Sequence, residues 1–136
     1  MPNVTIEIAE SHTLIEEEAR ELFGGVTLAL SDALGIDPGT VVVRLAQSDP
    51  RFWAVGGQPI TGTSSRTAQI DIYLTKSSAT PKQLRMALAA TSEVLSTVFS
   101  GWVHEASTIN IHEVDKHLGG SIGALAAEHP SPKAAA

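Results

Sequence analysis

The sequence predicts a two-layer α+β fold in which a tandem βαβ repeat forms a four-stranded sheet with two helices on one face. Three observations predict it. Two stretches alternate polar and apolar residues, Asn3 to Ala9 and Ala68 to Leu74, the period of a half-buried strand. Each is followed by apolar residues at helical spacing and then by a second short strand. The two halves superpose at an offset of about 64 residues, with Ile6 on Ile70, Ile8 on Ile72 and His12 on Lys76, as an internal duplication requires.

In the first strand Val4, Ile6 and Ile8 point to one face and Asn3, Thr5 and Glu7 to the other. Thr13 and Glu16 have the spacing of a capping box, and Leu14, Ile15, Leu22, Phe23, Val26, Leu30 and Leu34 give the buried stripe of a helix that Gly35 can end. After the turn Asp37-Pro38-Gly39, Val41 to Leu45 is nearly all apolar, which predicts a strand central in its sheet. Residues 49–57 make a turn closed by Gly56-Gly57. In the second half Ile70, Ile72 and Leu74 line one strand face. Thr80, Pro81 and Gln83 supply a cap, a first-turn proline and a capping box. Leu84, Leu88, Leu95, Val98 and Phe99 form the helical stripe, Gly101 is a stop, and Thr108 to Val114 is the fourth strand. Two right-handed crossovers put both helices on one sheet face. The other face is left uncovered, and with the sheet edges it invites assembly. Residues 1–128 are expected to form one domain of two halves, 2–62 and 66–125, with 129–136 a flexible tail.

Composition narrows the function. With 136 residues, 43% hydrophobic and 18% charged, the chain suits one globular domain. A net charge of −6 without any Lys/Arg run argues against nucleic acid. There is no cysteine, so thiolate nucleophiles and Cys-based zinc sites are excluded. Apolar runs fall far short of a membrane span, and the first residues do not read as a signal peptide. A soluble cytoplasmic protein is the expectation.

A duplicated βαβ that begins Met1-Pro2 and closes each half with a Gly-Gly turn resembles the tautomerase superfamily. The most specific pieces are Pro2 opening the first strand, Ala68-Gln-Ile-Asp-Ile72, and Phe52-Trp-Ala-Val-Gly-Gly57, with Ile111-His-Glu-Val114 a weaker match. The similarity covers roughly residues 2 to 125, in the fused double-βαβ form related to 4-oxalocrotonate tautomerase, cis-3-chloroacrylic acid dehalogenase and macrophage migration inhibitory factor.

The resemblance implies a homotrimer, a small carboxylate substrate such as a 2-oxo or enol acid, and catalysis without a metal or organic cofactor. It also implies that Pro2, freed by removal of Met1, is a secondary amine acting as general base. A free α-amino group titrates at about 7.7–8.0, and burial or a neighbouring cation lowers that further. Read by itself, a proline here also suits Met removal or an edge strand. The family's arginine just past the first strand corresponds to His12 in one half and Lys76 in the other. Lys76 is the leading carboxylate binder, with a solvated surface lysine the rival. The family's second-strand arginine falls near Val42, and Arg44, two residues on, shares that strand face; a surface salt bridge is the equal alternative. Arg66 stands where a second catalytic proline would, as a pocket-lining residue. Trp53 matches the aromatic that walls the family's pocket, or is a core tryptophan. Asn110 and Ser31 fall where the dehalogenase has a tyrosine and a histidine, so that enzyme's machinery is not carried over. Two rival functions follow: a hydratase, dehalogenase or decarboxylase with Pro2 as acid, and a non-catalytic trimeric binding protein.

Three local patterns carry less. Gly119-Gly-Ser-Ile-Gly123 fits a nucleophile elbow, but only His129 follows it. His112 and His117 are five apart at a strand end rather than four apart on a helix. Glu16-Glu17-Glu18 complements a helix dipole.

Overall fold

The computed structural model describes residues 2–10, 16–60, 66–99 and 106–128. Strands β1 (Asn3–Ala9) and β2 (Val42–Ser48) flank helix α1 (Glu16–Leu34). A short hairpin of β3 (Ala54–Val55) and β4 (Gln58–Pro59) follows. Strands β5 (Thr67–Thr75) and β6 (Thr108–Val114) flank helix α2 (Pro81–Val98), and α3 (Ile122–Glu128) ends the described chain. The expected Thr13–Glu16 cap, Gly101 stop and tail of residues 129–136 involve positions outside the described residues.

The main sheet has the order β2-β1-β5-β6. β1 runs parallel to β2, β5 parallel to β6, and β1 antiparallel to β5. Ile6 faces Ile70 across the central pair, and these are also the residues that the sequence repeat superposes. The two halves are therefore related by a pseudo-two-fold passing between Ile6 and Ile70. The outer pairings obey it too, with Ile6 opposite Leu45 and Ile70 opposite Ile109.

Placing β2 at the sheet edge corrects the central position its apolar run predicted. The centre is taken by the antiparallel β1–β5 pair, whose inward residues Ile6, Ile8, Ile70 and Ile72 are almost fully buried. Val42, by contrast, is 48% exposed. β2 is apolar because Val43 and Leu45 pack against the core while Val42 stands on the open face.

Leu22, Val26 and Leu30 of α1 and Ala87 and Leu95 of α2 seal the inner face. Phe23, expected in that stripe, is instead 38% exposed. Gly35 ends α1 at φ +65°, a conformation open to glycine at no steric cost. Thr80 and Gln83 close the capping box on α2. The helices pack against each other, and Gly25 makes room for it: a Cβ there would stand 2.7 Å from Val94 Cγ1.

The uncovered face is mostly polar. Its positions carry Asn3, Thr5, Arg44, Asp71, Tyr73, Asn110 and His112 besides Val42, because alternation hands most of the apolar residues to the helices. Gly56 and Gly57, at φ +59° and +81°, form the two-residue turn of the β3–β4 hairpin, where both positions require positive φ. No helix among the described residues is long and apolar enough to cross a membrane.

Candidate active site

The pseudo-symmetry gives the sheet two chemically different ends. Parallel strands open crevices beyond their carboxyl ends, and here the β1/β2 pair and the β5/β6 pair point in opposite directions. The carboxyl end of β5/β6 is also where β1 begins.

Pro2 is buried at that end, and its carbonyl accepts a hydrogen bond from Val42 N at 3.0 Å. The register sets Asn3 opposite Tyr73, so β5 runs on past Pro2 to Lys76, roughly 7 Å of strand rise beyond the residue facing Pro2. Lys76 is exposed, and its N–H donates to Val114 O at 2.7 Å, which ties it to the end of β6. The next residue, Ser77, has φ +65° and its N–H donates to Glu113 Oε2. A non-glycine residue in this region is uncommon and strained. The strain turns the chain sharply just after Lys76.

A cleft of about 360 Å³ opens at the same end, bounded by Asn3, Tyr73 to Thr75, and the loop of Asp115, Lys116 and Gly119 to Ser121. Lys116 was not singled out from sequence. The signal was available in principle: it lies two residues past the strand parallel to β5, in the loop that must cross the Pro2 end.

At the opposite end, the described residues include a shared ion pair. Arg66 donates through Nε to Glu10 and through Nη1 to Glu18, and its guanidinium lies 4.7 Å from the centre of the Phe99 ring. Burial pulls its pKa down, but hydrogen bonds and charge from Glu18 and Glu10 outweigh this and leave it raised. Trp53 is half-buried at this end, with Nε1 donating to Ser48 Oγ at 2.6 Å. It follows a short turn in which Asp49 accepts from Arg51 N.

Within one chain, then, the register puts Pro2 and Lys76 at the same end of the sheet, while Arg66 and Trp53 stand at the other. Arg44 and Asn110 lie midway, on the uncovered face of the two edge strands, with Arg44 Nη2 3.4 Å from Thr5 Oγ1. His12 lies outside the described residues. Among the described residues no group of three or more His, Asp or Glu side chains is arranged to hold a metal ion.

No protein-family model matches the chain. Probable tautomerase K2 of Dickeya dadantii (strain 3937) is 36% identical over 61 residues, which span 45% of this chain and 90% of that protein. The F6 fused 4-OT wild-type asymmetric trimer has a similar fold, with a TM-score of 0.76 and 20% identity over 89% of this chain and 93% of its own. So does Pt0534 inactivated by 2-oxo-3-pentynoate, with a TM-score of 0.75 and 19% identity over 89% and 92% of the two chains.

Proposed function

The chain belongs to the tautomerase superfamily, and on that footing we propose that it is a tautomerase using the Pro2 amine as general base on small 2-oxo or enol carboxylic acids. The observation that supports this reading is the antiparallel register, which brings the start of β1 and the Lys76 turn to the same end of the sheet, beside a cleft.

Once Met1 is removed, Pro2 offers a secondary amine at the end of a strand held on both sides, with no side-chain rotamer to fix. Its buried position favours the neutral amine, the form that takes a proton. In the keto-to-enol direction the C–H bond next to the carbonyl breaks and an N–H bond forms on Pro2. The electron pair becomes the C=C bond, the carbonyl oxygen takes up a proton from solvent, and protonated Pro2 gives its own proton to solvent. Ketonisation returns the Pro2 proton to carbon, so the cycle needs no redox partner. Lys76 and Lys116 bind the substrate carboxylate as point charges, less directional than an arginine fork.

Arg44 and Asn110 do not bound this cleft in their own chain, although they share the uncovered sheet face with Asn3 and Tyr73. They reach a Pro2 site most directly from a second subunit, and we extend the proposal to a homotrimer on the pattern of the fused 4-OT trimer.

The test uses 2-oxo-3-pentynoate, whose activated triple bond a neutral secondary amine attacks. One adduct per chain is expected on the N-terminal peptide by mass spectrometry, in a protein whose first residue is Pro2. Pro2→Ala is expected to lose at least about 100-fold in kcat/KM for enolpyruvate-type acids. Parental turnover by the alanine variant, or labelling confined to another residue, would overturn the reading.

A further inference from the structure

Tyr73 is the one aromatic residue among those bounding the Pro2 cleft, and it belongs to a side-chain chain that leads out of it. Its ring stacks on His112, with centroids 4.6 Å apart and planes 16° from parallel. His112 is its in-register neighbour on β6. His112 Nε2 lies 2.7 Å from Asp71 Oδ1, and Asp71 sits two residues before Tyr73 on the same strand face. The three side chains thus close a triangle: Asp71 to His112 by a hydrogen bond, His112 to Tyr73 by ring stacking, and Asp71 to Tyr73 through the strand.

A tyrosine that is 41% exposed on an open sheet face would ordinarily sample several χ1 wells. Here the stack restricts it, and the carboxylate fixes the ring on which it stacks. Asp71 is the better sheltered of the two, with its side chain 19% exposed against 43% for His112. Cross-strand aromatic pairs also stabilise sheets without any further role. This one differs in its place: the restrained ring forms a wall of the cleft, opposite a loop containing Gly119 and Gly120 that leaves room above it.

We propose that Tyr73 is a specificity-determining wall of the Pro2 cleft, and that His112 and Asp71 are positioning residues that hold its ring to receive a planar, conjugated carboxylate. The proposal rests on the reading of this cleft as the substrate site. A fixed aromatic face favours flat conjugated ligands by offset stacking, and a ring already held in place spares the ligand the cost of ordering it. His112 does not bound the cleft, so any effect it has on a ligand there must pass through Tyr73.

The experiment is equilibrium binding of trans-cinnamate, an unreactive planar carboxylate, followed by NMR titration of the full chain, with hexanoate as the flexible comparison. Tyr73→Leu is expected to weaken cinnamate about 10-fold and hexanoate less than 2-fold, while Tyr73→Phe keeps parental affinity because the ring, not the hydroxyl, forms the wall. His112→Leu is expected to weaken cinnamate about 5-fold, and the double variant Tyr73→Leu/His112→Leu to be no worse than Tyr73→Leu. Asp71→Asn, which keeps a hydrogen-bonding partner for the imidazole, is expected to remain within 2-fold of the parent where Asp71→Leu does not. Unchanged cinnamate affinity in a folded His112→Leu protein, effects of the two leucine variants that multiply, or no cinnamate binding by the parent would each overturn the proposal. Binding is read without turnover, so its failure and the failure of Pro2 catalysis are separately visible.

Discussion

Replacing Arg66 by Met removes the charge that ties Glu10 and Glu18 together at the start of β5 while keeping most of the side-chain stem. Three partly buried groups meet there, with side chains 25%, 12% and 21% exposed for Arg66, Glu10 and Glu18. Breaking a fully buried ion pair costs roughly 3–5 kcal/mol because the abandoned charge stays desolvated, whereas an exposed pair contributes about 1 kcal/mol or less. A quarter-exposed guanidinium serving two carboxylates falls between these limits, at about 2–3 kcal/mol. Loss of the guanidinium over Phe99 adds roughly 0.5 kcal/mol. The sum, about 3 kcal/mol, corresponds to a fall in Tm of about 10 °C for a domain of this size. Thermal unfolding should be compared at one protein concentration, since an assembling protein has a concentration-dependent Tm. Arg66→Lys should recover part of the loss, because it restores the charge without the fork that serves two carboxylates at once. A Met variant melting within about 3 °C of the parent would refute the assignment of Arg66 as the tie between β5, α1 and the residue after β1.

Two neighbouring glycines of α1 make opposite predictions. Gly24→Ala, where an added Cβ meets nothing within 4 Å, should gain up to about 1 kcal/mol from helix propensity. Gly25→Ala drives its Cβ against Val94 Cγ1, and the stiff β-branched side chain should turn the same gain into a net loss of about 1 kcal/mol. Urea unfolding reads both, and a stabilised Gly25→Ala would show that α1 and α2 yield freely. At the cleft, Lys76→Ala should raise KM about 10-fold for a carboxylate substrate with kcat little changed, and Lys76→Arg should recover it. A fall in kcat at constant KM would place Lys76 in the chemistry rather than in binding.

The legibility of this chain follows the range of the interactions involved. β1 and β6 occupy the residues their alternation predicts, and α2 begins at the predicted Thr80 cap, because those signals are local. The position of β2 was misread because an apolar run reports burial on a strand's faces and not hydrogen bonding at its edges. α3 escaped notice because Gly119-Gly120 reads as a turn and the helix beyond it is only seven residues long. Lys116 and Tyr73 escaped for a different reason. Neither carries a motif, and both reach the cleft only through the antiparallel pairing of β1 with β5, which no short window of sequence contains. Lys76 was visible because the repeat aligned it with His12, although its nearness to Pro2 is again a matter of register.

That register also explains how a duplicated chain can have two chemically different ends. Under the pseudo-two-fold, the position of Pro2 maps to Arg66, and a residue inside a continuous chain has no free amine to offer. A residue there is released from base chemistry but still opens a central strand beside the end of its antiparallel neighbour, where Glu10 arrives. An arginine at that point turns two nearby carboxylates from a repulsive pair into a shared ion pair, and its flat guanidinium covers Phe99. At the other end the same crossing is made by the small residues Gly119 to Ser121, and space remains between them and Tyr73. Duplication therefore supplies two pseudo-equivalent strand ends, and the chemical difference between a chain terminus and a chain interior sets what each can offer.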